Sequence, residues 1–183
     1  DCVLSGWVSS ACSYIAKFEK SSAQYLHTRY AITTTSGTAA LHLALAALDV
    51  SPKEEVILPA PTMFACSAAL LYTGATPVHV DVERDTWNMQ VHEVEKKITK
   101  RTKVIMPVHS YGHPVDMDPL QALAKKHGIA IVEDTAEAHG ATYKGKKVGT
   151  IGDINCFSFY ANKIVTTGEG GMVVTNSKKL ADR

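Results

Sequence analysis

The chain has 183 residues, of which 45% are hydrophobic and 20% are charged. This composition is typical of a globular protein with a real core. Nineteen basic and 18 acidic side chains leave a formal net charge of +1, so we expect neither a nucleic acid nor a membrane as a partner. We see no signal-peptide pattern and no apolar stretch long enough to span a bilayer. Local basic runs exist, and the one at 144–147 (KGKK) predicts a solvated turn.

Four cysteines are scattered along the chain without a C-x-x-C pair, which argues against a zinc site or a redox motif. Cys66 and Cys156 lie in apolar runs, and we expect them to be buried free thiols. Free thiols are typical of a reducing compartment, so the expected location is cytoplasmic. The chain starts at Asp1 and stops at Arg183 inside a polar run that predicts a helix. These two ends predict a fragment of a longer protein.

Short apolar strands alternate with amphipathic helices, a pattern typical of an α/β fold with a mostly parallel sheet. Several strands, such as VIMPV and IAIVE, are almost continuous apolar runs, which predicts that both faces of the sheet are covered. No repeat or linker divides the sequence, so we predict one domain over residues 1–183. The seven predicted strands are Tyr30–Thr35, Val56–Pro59, Pro77–Val80, Val104–Val108, Ala130–Glu133, Asn155–Phe159 and Gly171–Thr175.

Five segments have the composition and periodicity of helices. The first, Val8–Tyr25, is expected to pack on the sheet or on a partner subunit. Gly74 ends one of the others, and Gly128 is predicted to be the C-cap of another. The remaining predicted helices are Thr38–Leu48, Thr62–Tyr72, Val91–Ile98 and Pro119–His127.

Polar or glycine-containing segments follow five of the predicted strands. In an open α/β sheet, ligands bind beyond the carboxyl ends of the strands, so we expect these segments to converge on one rim. The segments are 36–38 (SGT), 61–62 (PT), 109–112 (HSYG), 133–134 (ED) and 158–163, which runs from Ser158 to Asn162 and Lys163.

The turn at 36–38 leads from a strand into a helix. Gly37 lets the backbone approach an anion, Thr38 adds a hydroxyl donor, and the N-terminus of the helix favours phosphate. Ser and Thr also act as plain N-caps, and on this segment alone the two interpretations stay open.

Asp134 and Lys163 are the charged residues whose position suggests chemistry. A carboxylate at the end of a buried strand needs a cation or several donors, and a protonated ring nitrogen of a ligand is one such cation. Alternatively, Asp134 caps a helix over 135–139. Lys163 follows an apolar strand, where partial desolvation would make its amine nucleophilic, although a surface lysine on a loop is equally compatible.

The eight histidines lack the spacing of a metal site, and we predict no metal. His109 and His113 are four residues apart, but Pro114 follows them and the segment is predicted to be a loop. His139 is expected to be a structural histidine near the site rather than a catalytic base.

Three segments together resemble the DegT-type sugar-nucleotide aminotransferases, which are fold-type-I enzymes dependent on pyridoxal 5'-phosphate (PLP). They are SGTAALHLAL (36–45), VEDTAEAHGA (132–141) and FSFYANKIVTTGEGG (157–171), and the likeness extends through GATPVHVDV (74–82) to ITKRTKVIMPVHSYGHPVDMD (98–118). The resemblance implies a three-layer αβα sandwich around a mostly parallel seven-stranded sheet. It also implies that the family's smaller C-terminal domain is absent from this chain, because the family's chains are about twice as long.

The resemblance also implies roles for individual residues. Lys163 matches the lysine that binds PLP as a Schiff base and later shuttles a proton. Asp134 matches the carboxylate that pairs with the pyridine nitrogen. Ser158 matches a phosphate-binding hydroxyl, and Gly37 with Thr38 matches the phosphate-binding turn.

Two positions depart from the family pattern. Glu137 stands where many relatives carry a glutamine bonded to the phenolic oxygen of the cofactor, and a carboxylate there would repel a phenolate unless one of them is protonated. Met63 takes the place of the residue that stacks on the ring, which is often aromatic, and would use its polarizable thioether.

Glu137 and the stretch TYKGKKVGTIGDI (142–154) are most similar to perosamine-synthase-like members. That likeness implies transfer of the amino group of glutamate to C4 of GDP-4-keto-6-deoxymannose or a related nucleotide sugar, in a homodimer with the cofactor at the subunit boundary. Some relatives that act as dehydratases carry histidine in place of the lysine, so Lys163 favours transamination. The alternatives are another fold-type-I lyase or aldolase, and a non-catalytic module that binds nucleotide sugars.

Overall fold

One sheet organises the part of the chain that the computed structural model describes, residues 1–7, 9 and 12–183. Its strands are β1 (Tyr30–Thr34), β2 (Glu55–Pro59), β3 (Thr76–Val80), β4 (Thr102–Ile105), β5 (Ala130–Asp134), β8 (Ile154–Ser158) and β9 (Gly171–Thr175), with β6 (Thr142–Tyr143) and β7 (Lys146–Lys147) forming a separate hairpin. The order across the sheet is β1-β9-β8-β5-β4-β2-β3. β9 is antiparallel to both neighbours, and the other four pairings are parallel. The predicted α/β fold with a mostly parallel seven-stranded sheet is confirmed.

Seven α-helices accompany the strands in the described ranges. Gly74 and Gly128 end two of them in the left-handed conformation, as predicted, because glycine adopts positive φ without a steric penalty. None of these helices combines the length and the low polarity that crossing a bilayer requires. The helices are α1 (Cys2–Ser5), α2 (Ser13–Leu26), α3 (Gly37–Ala47), α4 (Phe64–Thr73), α5 (Val91–Lys97), α6 (Met117–His127) and α7 (Lys178–Ala181).

Side chains on successive residues of the central strands point to opposite faces. In β2, Val56 and Leu58 join a buried cluster that includes residues of α3 and α4. Ile57, between them, joins a second cluster with residues of α5 and α6. Each fully buried aliphatic side chain of this kind contributes about 1.5–3 kcal/mol to folding. The core therefore lies on both sides of the sheet, as the continuous apolar runs predict.

Among the element boundaries that differ from the prediction, two have clear local reasons. The ladder of β4 ends at Ile105 rather than at residue 108, because Pro107 has no N–H to donate. α4 begins at Phe64, two residues later than expected, because Met63 keeps an extended conformation (φ −61°, ψ 139°). This extension leaves residues 61–63 outside the helix, where they line the site described below.

The basic run at 144–147 is not simply a solvated turn. Lys144 (φ 48°) and Gly145 (φ 81°) form the tight turn of the β6–β7 hairpin, in which two positive φ angles suit the strand twist. Lys147 lies with its Nζ 3.2 Å from the ring centroid of Tyr25 and donates to the Tyr25 carbonyl at 2.5 Å. The hairpin is thereby attached to α2. The predicted first helix starts only at Ser13, and its predicted first residue, Val8, lies outside the described residues.

Candidate active site

A cavity of about 580 Å³ opens at the edge of the sheet where the parallel strands end. All five segments that we expected at this rim contribute side chains or backbone to its wall. The contributing residues are Ser36, Gly37, Thr38, Pro61, Thr62, Ser110, Tyr111, Asp134, Ser158, Asn162 and Lys163.

The turn before α3 forms one end of the cavity. Ser36 caps the helix, because its hydroxyl accepts the N–H of Ala39 at 3.1 Å. The N–H groups of the first helical residues have no partner within a helix, and Gly37 and Thr38 line the cavity. The capping interpretation and the anion-binding interpretation are therefore compatible, since the cap uses the serine and leaves the next two residues at the cavity wall.

Gly37 lies against the end of β8. A Cβ built on it would lie 2.6 Å from Ser158 Cβ and 3.0 Å from Ser158 Oγ, so only glycine permits this approach. The Ser158 hydroxyl accepts the N–H of Tyr160 at 3.4 Å, which leaves its own proton available to a ligand. The helix terminus and this hydroxyl together present donors suited to a phosphate.

Asp134 ends β5 and is almost fully buried at the cavity wall. Its Oδ1 accepts the N–H of Ala136 at 3.0 Å, and its Oδ2 accepts the thiol of Cys66 at 3.0 Å. The bond from Ala136 closes a turn in which the side chain of Asp134 accepts from the backbone two residues further along the chain. Residues 135–139 form turns and no helix, so the proposed helix cap is wrong. A carboxylate has about four acceptor positions, and two remain for a ligand.

Lys163 lines the cavity and is not an exposed residue of a surface loop. Its side chain is 12% exposed, and its Nζ lies 3.6 Å from Glu137 Oε1. The other carboxylate oxygen of Glu137 accepts the N–H of Tyr111 at 3.1 Å. Tyr111 has a positive φ of 51°, a conformation that is uncommon for a residue with a side chain. Glu137 therefore connects the lysine with the strained turn after β4.

Met63 lines the cavity and is 58% exposed, so its thioether is accessible to a flat ligand. Sequence reasoning did not single out Trp87, Tyr160 or Glu169, which also line the wall. Tyr160 and Glu169 lie within the segment 157–171 that the resemblance singled out. Trp87 lies in a loop with φ 60°, and no local pattern in the sequence points to it.

Two residues that we placed at the rim lie behind it instead. Glu133 and His109 are fully buried, and His109 Nε2 lies 2.9 Å from Glu133 Oε2. His109 Nδ1 accepts the N–H of Val115 at 3.1 Å, so the ring proton is on Nε2. The Glu133 carboxylate also accepts three backbone N–H groups of the loop 149–152. Because side chains alternate along a strand, Glu133 faces away from the cavity that its neighbour lines.

His139 is a structural histidine, as expected. Its Nε2 donates to the carbonyl of Ser158 at 2.7 Å. Its ring packs against Phe157 and Phe159. Burial lowers the pKa of His139, the Ser158 carbonyl opposes that shift, and the charge of Lys163 adds to it. The shift favours the neutral ring, which supports β8 beneath the cavity.

Comparison with known proteins gives three concordant findings. The model of the DegT/DnrJ/EryC1/StrS aminotransferase family matches residues 1–183. GDP-perosamine synthase of Escherichia coli O157:H7 is 55% identical over 183 residues, which are 100% of this chain and 50% of that protein. The solved aminotransferase from Psychrobacter cryohalolentis is 43% identical with a TM-score of 0.96, covering 98% of this chain and 46% of that one.

A further solved structure holds a ligand. The NtdA protein of Bacillus subtilis, solved with bound cofactor PMP, is 36% identical with a TM-score of 0.88, and the match covers 93% of this chain and 39% of that one. The chain thus spans about half the length of the curated relatives it matches.

Proposed function

The chain belongs to the DegT/DnrJ/EryC1/StrS aminotransferase family, and from that premise we propose that it is the cofactor-binding large domain of a sugar-nucleotide aminotransferase. The observation that carries the proposal is that Lys163, Asp134 and the turn at Gly37 line one cavity. The proposed architecture of residues 1–183 is the three-layer αβα sandwich of fold-type-I enzymes. The smaller second domain of such enzymes would lie outside this chain.

PLP is the cofactor of aminotransferases in this family, and its amino form, PMP, is bound in the Bacillus subtilis relative. The predicted cofactor is therefore confirmed for the family. In this chain the donor set suits the same group. Gly37, Thr38 and Ser158 would hold the phosphate, and the close approach of Gly37 to Ser158 leaves no space for a Cβ between them.

Asp134 and Lys163 would hold the ring. Asp134 retains acceptor capacity toward the cavity and would keep the ring nitrogen protonated. When bound, PLP supplies an electron sink for reactions at a carbon next to an amino group. Lys163 Nζ would hold the cofactor covalently and, once a substrate amine displaces it, would carry a proton between the cofactor carbon and the substrate carbon. Glu137 would lie beside the phenolic oxygen with its own charge compensated by Lys163.

The proposed substrates are glutamate as the amino donor and a nucleotide-linked keto-deoxy sugar as the acceptor, with C4 of GDP-4-keto-6-deoxymannose as the specific candidate. The support is the 55% identity to an Escherichia coli protein named GDP-perosamine synthase. Met63 and Trp87 leave accessible apolar surface in the cavity wall, which suits the stacking of flat groups.

A homodimer is the proposed assembly. Large apolar side chains are exposed at the cavity wall and next to it, among them Phe64, Tyr111, Ile164 and Val165, and Phe64 is 74% exposed. Exposed apolar patches of this kind mark interaction sites. We also propose that the protein works in the cytoplasm, which the four free thiols support.

The test uses the intact protein titrated with PLP. We expect an absorbance band in the visible range, its loss in Lys163→Ala, and its retention in Lys125→Ala, a matched change of an exposed lysine on α6. Glutamate should then yield 2-oxoglutarate, and a panel of keto sugars should identify the acceptor. An unchanged band in Lys163→Ala would refute the cofactor site. Failure to consume glutamate would instead favour a lyase or aldolase.

A further inference from the structure

Cys66 is the buried group next to the cavity that the proposed function leaves unexplained. It lies in the first turn of α4 and is 0% exposed. Its sulfur lies 3.0 Å from Asp134 Oδ2 and 3.2 Å from Thr62 Oγ1. A thiol placed between a hydroxyl and a carboxylate makes specific polar contacts that a small apolar residue in the same core would not make.

The direction of these hydrogen bonds follows from the number of protons. The Asp134 carboxylate accepts, so the thiol proton of Cys66 is used in that contact. The contact between Thr62 and Cys66 must then use the hydroxyl proton of Thr62. The result is a relay in which Thr62 donates to Cys66 and Cys66 donates to Asp134. Burial, and after it the charge of Asp134, raises the pKa of the Cys66 thiol well above its ordinary value, so the donor keeps its proton.

The relay fixes one oxygen of the carboxylate while the Ala136 N–H fixes the other. Both contacts restrict rotation of Asp134 and leave its remaining acceptor positions toward the cavity. The thiol thus orients the carboxylate, which keeps its negative charge. A group that must keep a ring nitrogen protonated requires both properties.

We propose that Cys66 is a positioning residue, whose thiol holds the Asp134 carboxylate in the orientation that pairs with the ring nitrogen of the cofactor. This inference rests on the proposed function, because it requires PLP in the cavity. It adds a residue that acts through Asp134 and does not itself touch the cofactor.

The experiment compares Cys66→Ala, which removes the donor, with Cys66→Ser, which restores a hydroxyl donor. Val56→Ala is the control for lost packing, because Val56 is equally buried in the same cluster, has no polar side-chain atom and does not line the cavity. The intact proteins are loaded with PLP carrying ¹⁵N at the ring nitrogen. The readouts are the ¹⁵N chemical shift and the PLP concentration at half-maximal visible absorbance.

In Cys66→Ala we expect the ¹⁵N shift to move toward the unprotonated value and the half-maximal PLP concentration to rise roughly 3- to 10-fold, the loss of one modest hydrogen bond to a charged group. Cys66→Ser and Val56→Ala should resemble the wild type. An unchanged shift in Cys66→Ala, an equal change in Val56→Ala, or a Cys66→Ser that behaves like Cys66→Ala overturns the proposal.

A second measurement needs no cofactor. The S–H stretching band of Cys66, identified by its disappearance in Cys66→Ser, should move to higher frequency in Asp134→Ala because the thiol loses its acceptor. An unmoved band overturns the contact itself. If the wild type forms no visible band with PLP, the proposed function fails, and the S–H band still decides whether the thiol holds Asp134.

Discussion

Replacing Gly37 with alanine tests how closely α3 approaches the end of β8. The new Cβ would lie 2.6 Å from Ser158 Cβ and 3.3 Å from Ser158 Cα, and Cβ contacts under 3.0 Å essentially never occur. Because the φ of Gly37 lies outside the left-handed region, backbone strain plays no part. Alanine is otherwise favoured over glycine in a helix, so a loss of stability would report the clash. Overpacking of this kind costs about 1–3 kcal/mol.

The assay has two parts. In a domain of this size, 1 kcal/mol lowers the Tm by about 2–4 °C, so we expect the cofactor-free Tm of Gly37→Ala to fall by about 2–12 °C. The clash also displaces the N–H groups that would bind the phosphate, and hydrogen bonds to a charged group contribute about 1.5–3 kcal/mol each. The affinity for PLP should therefore fall by about 10- to 100-fold.

A double-mutant cycle supplies the control. Ser158→Gly removes the Cβ and the hydroxyl that the new methyl would meet, so the double variant should lose less stability than the two single changes together. Wild-type Tm and wild-type PLP affinity in Gly37→Ala would mean that the two elements are not in contact, and the reasoning would be refuted.

Three further changes probe the charges around the site. Glu137→Gln removes the counter-ion 3.6 Å from Lys163 Nζ. The rate at which Lys163 is acetylated in the cofactor-free protein, measured by peptide mapping, should therefore rise several-fold. An unchanged rate would contradict the pairing. Glu133→Gln replaces a fully buried acceptor of four donors and should cost about 3 kcal/mol or more in urea denaturation; a loss under about 1 kcal/mol would contradict this. Because burial lowers the pKa of His139 below its ordinary 6.5, the folded state binds fewer protons than the unfolded chain. Stability should therefore fall as the pH drops below about 6.5, and a Tm–pH profile of His139→Gln that matches the wild type would argue against this.

The sheet was predictable because its strands are buried on both faces. Runs such as 104–108 and 129–133 cannot be amphipathic surface segments, and glycines such as Gly74 and Gly128 mark where helices end. The β6–β7 hairpin was missed because two-residue strands contain no periodicity. Its turn is lysine followed by glycine, which carries less information than asparagine followed by glycine.

The site was predictable where it depends on chain order and not where it depends on side-chain direction. Asp134 and Lys163 follow strands, so the topology brings them to one rim. Glu133 was wrongly placed there because the sequence does not reveal which of two adjacent strand residues faces a ligand. The contact between Cys66 and Asp134 spans 68 positions and follows only from the tertiary structure, which brings the first turn of α4 to the end of β5.

The antiparallel direction of β9 in the seven-stranded sheet has a consequence for the lysine. β9 returns beside β8, with Ser158 opposite Gly171 and a further bridge between Tyr160 and Gly168. The segment 161–167 therefore leaves the sheet and re-enters it at the same place. Lys163 thus lies in a short loop whose two ends are fixed by β8 and β9. Lengthening that segment by even one residue would change the reach of its amine, whereas insertions in the hairpin at 144–145 would leave it unaltered.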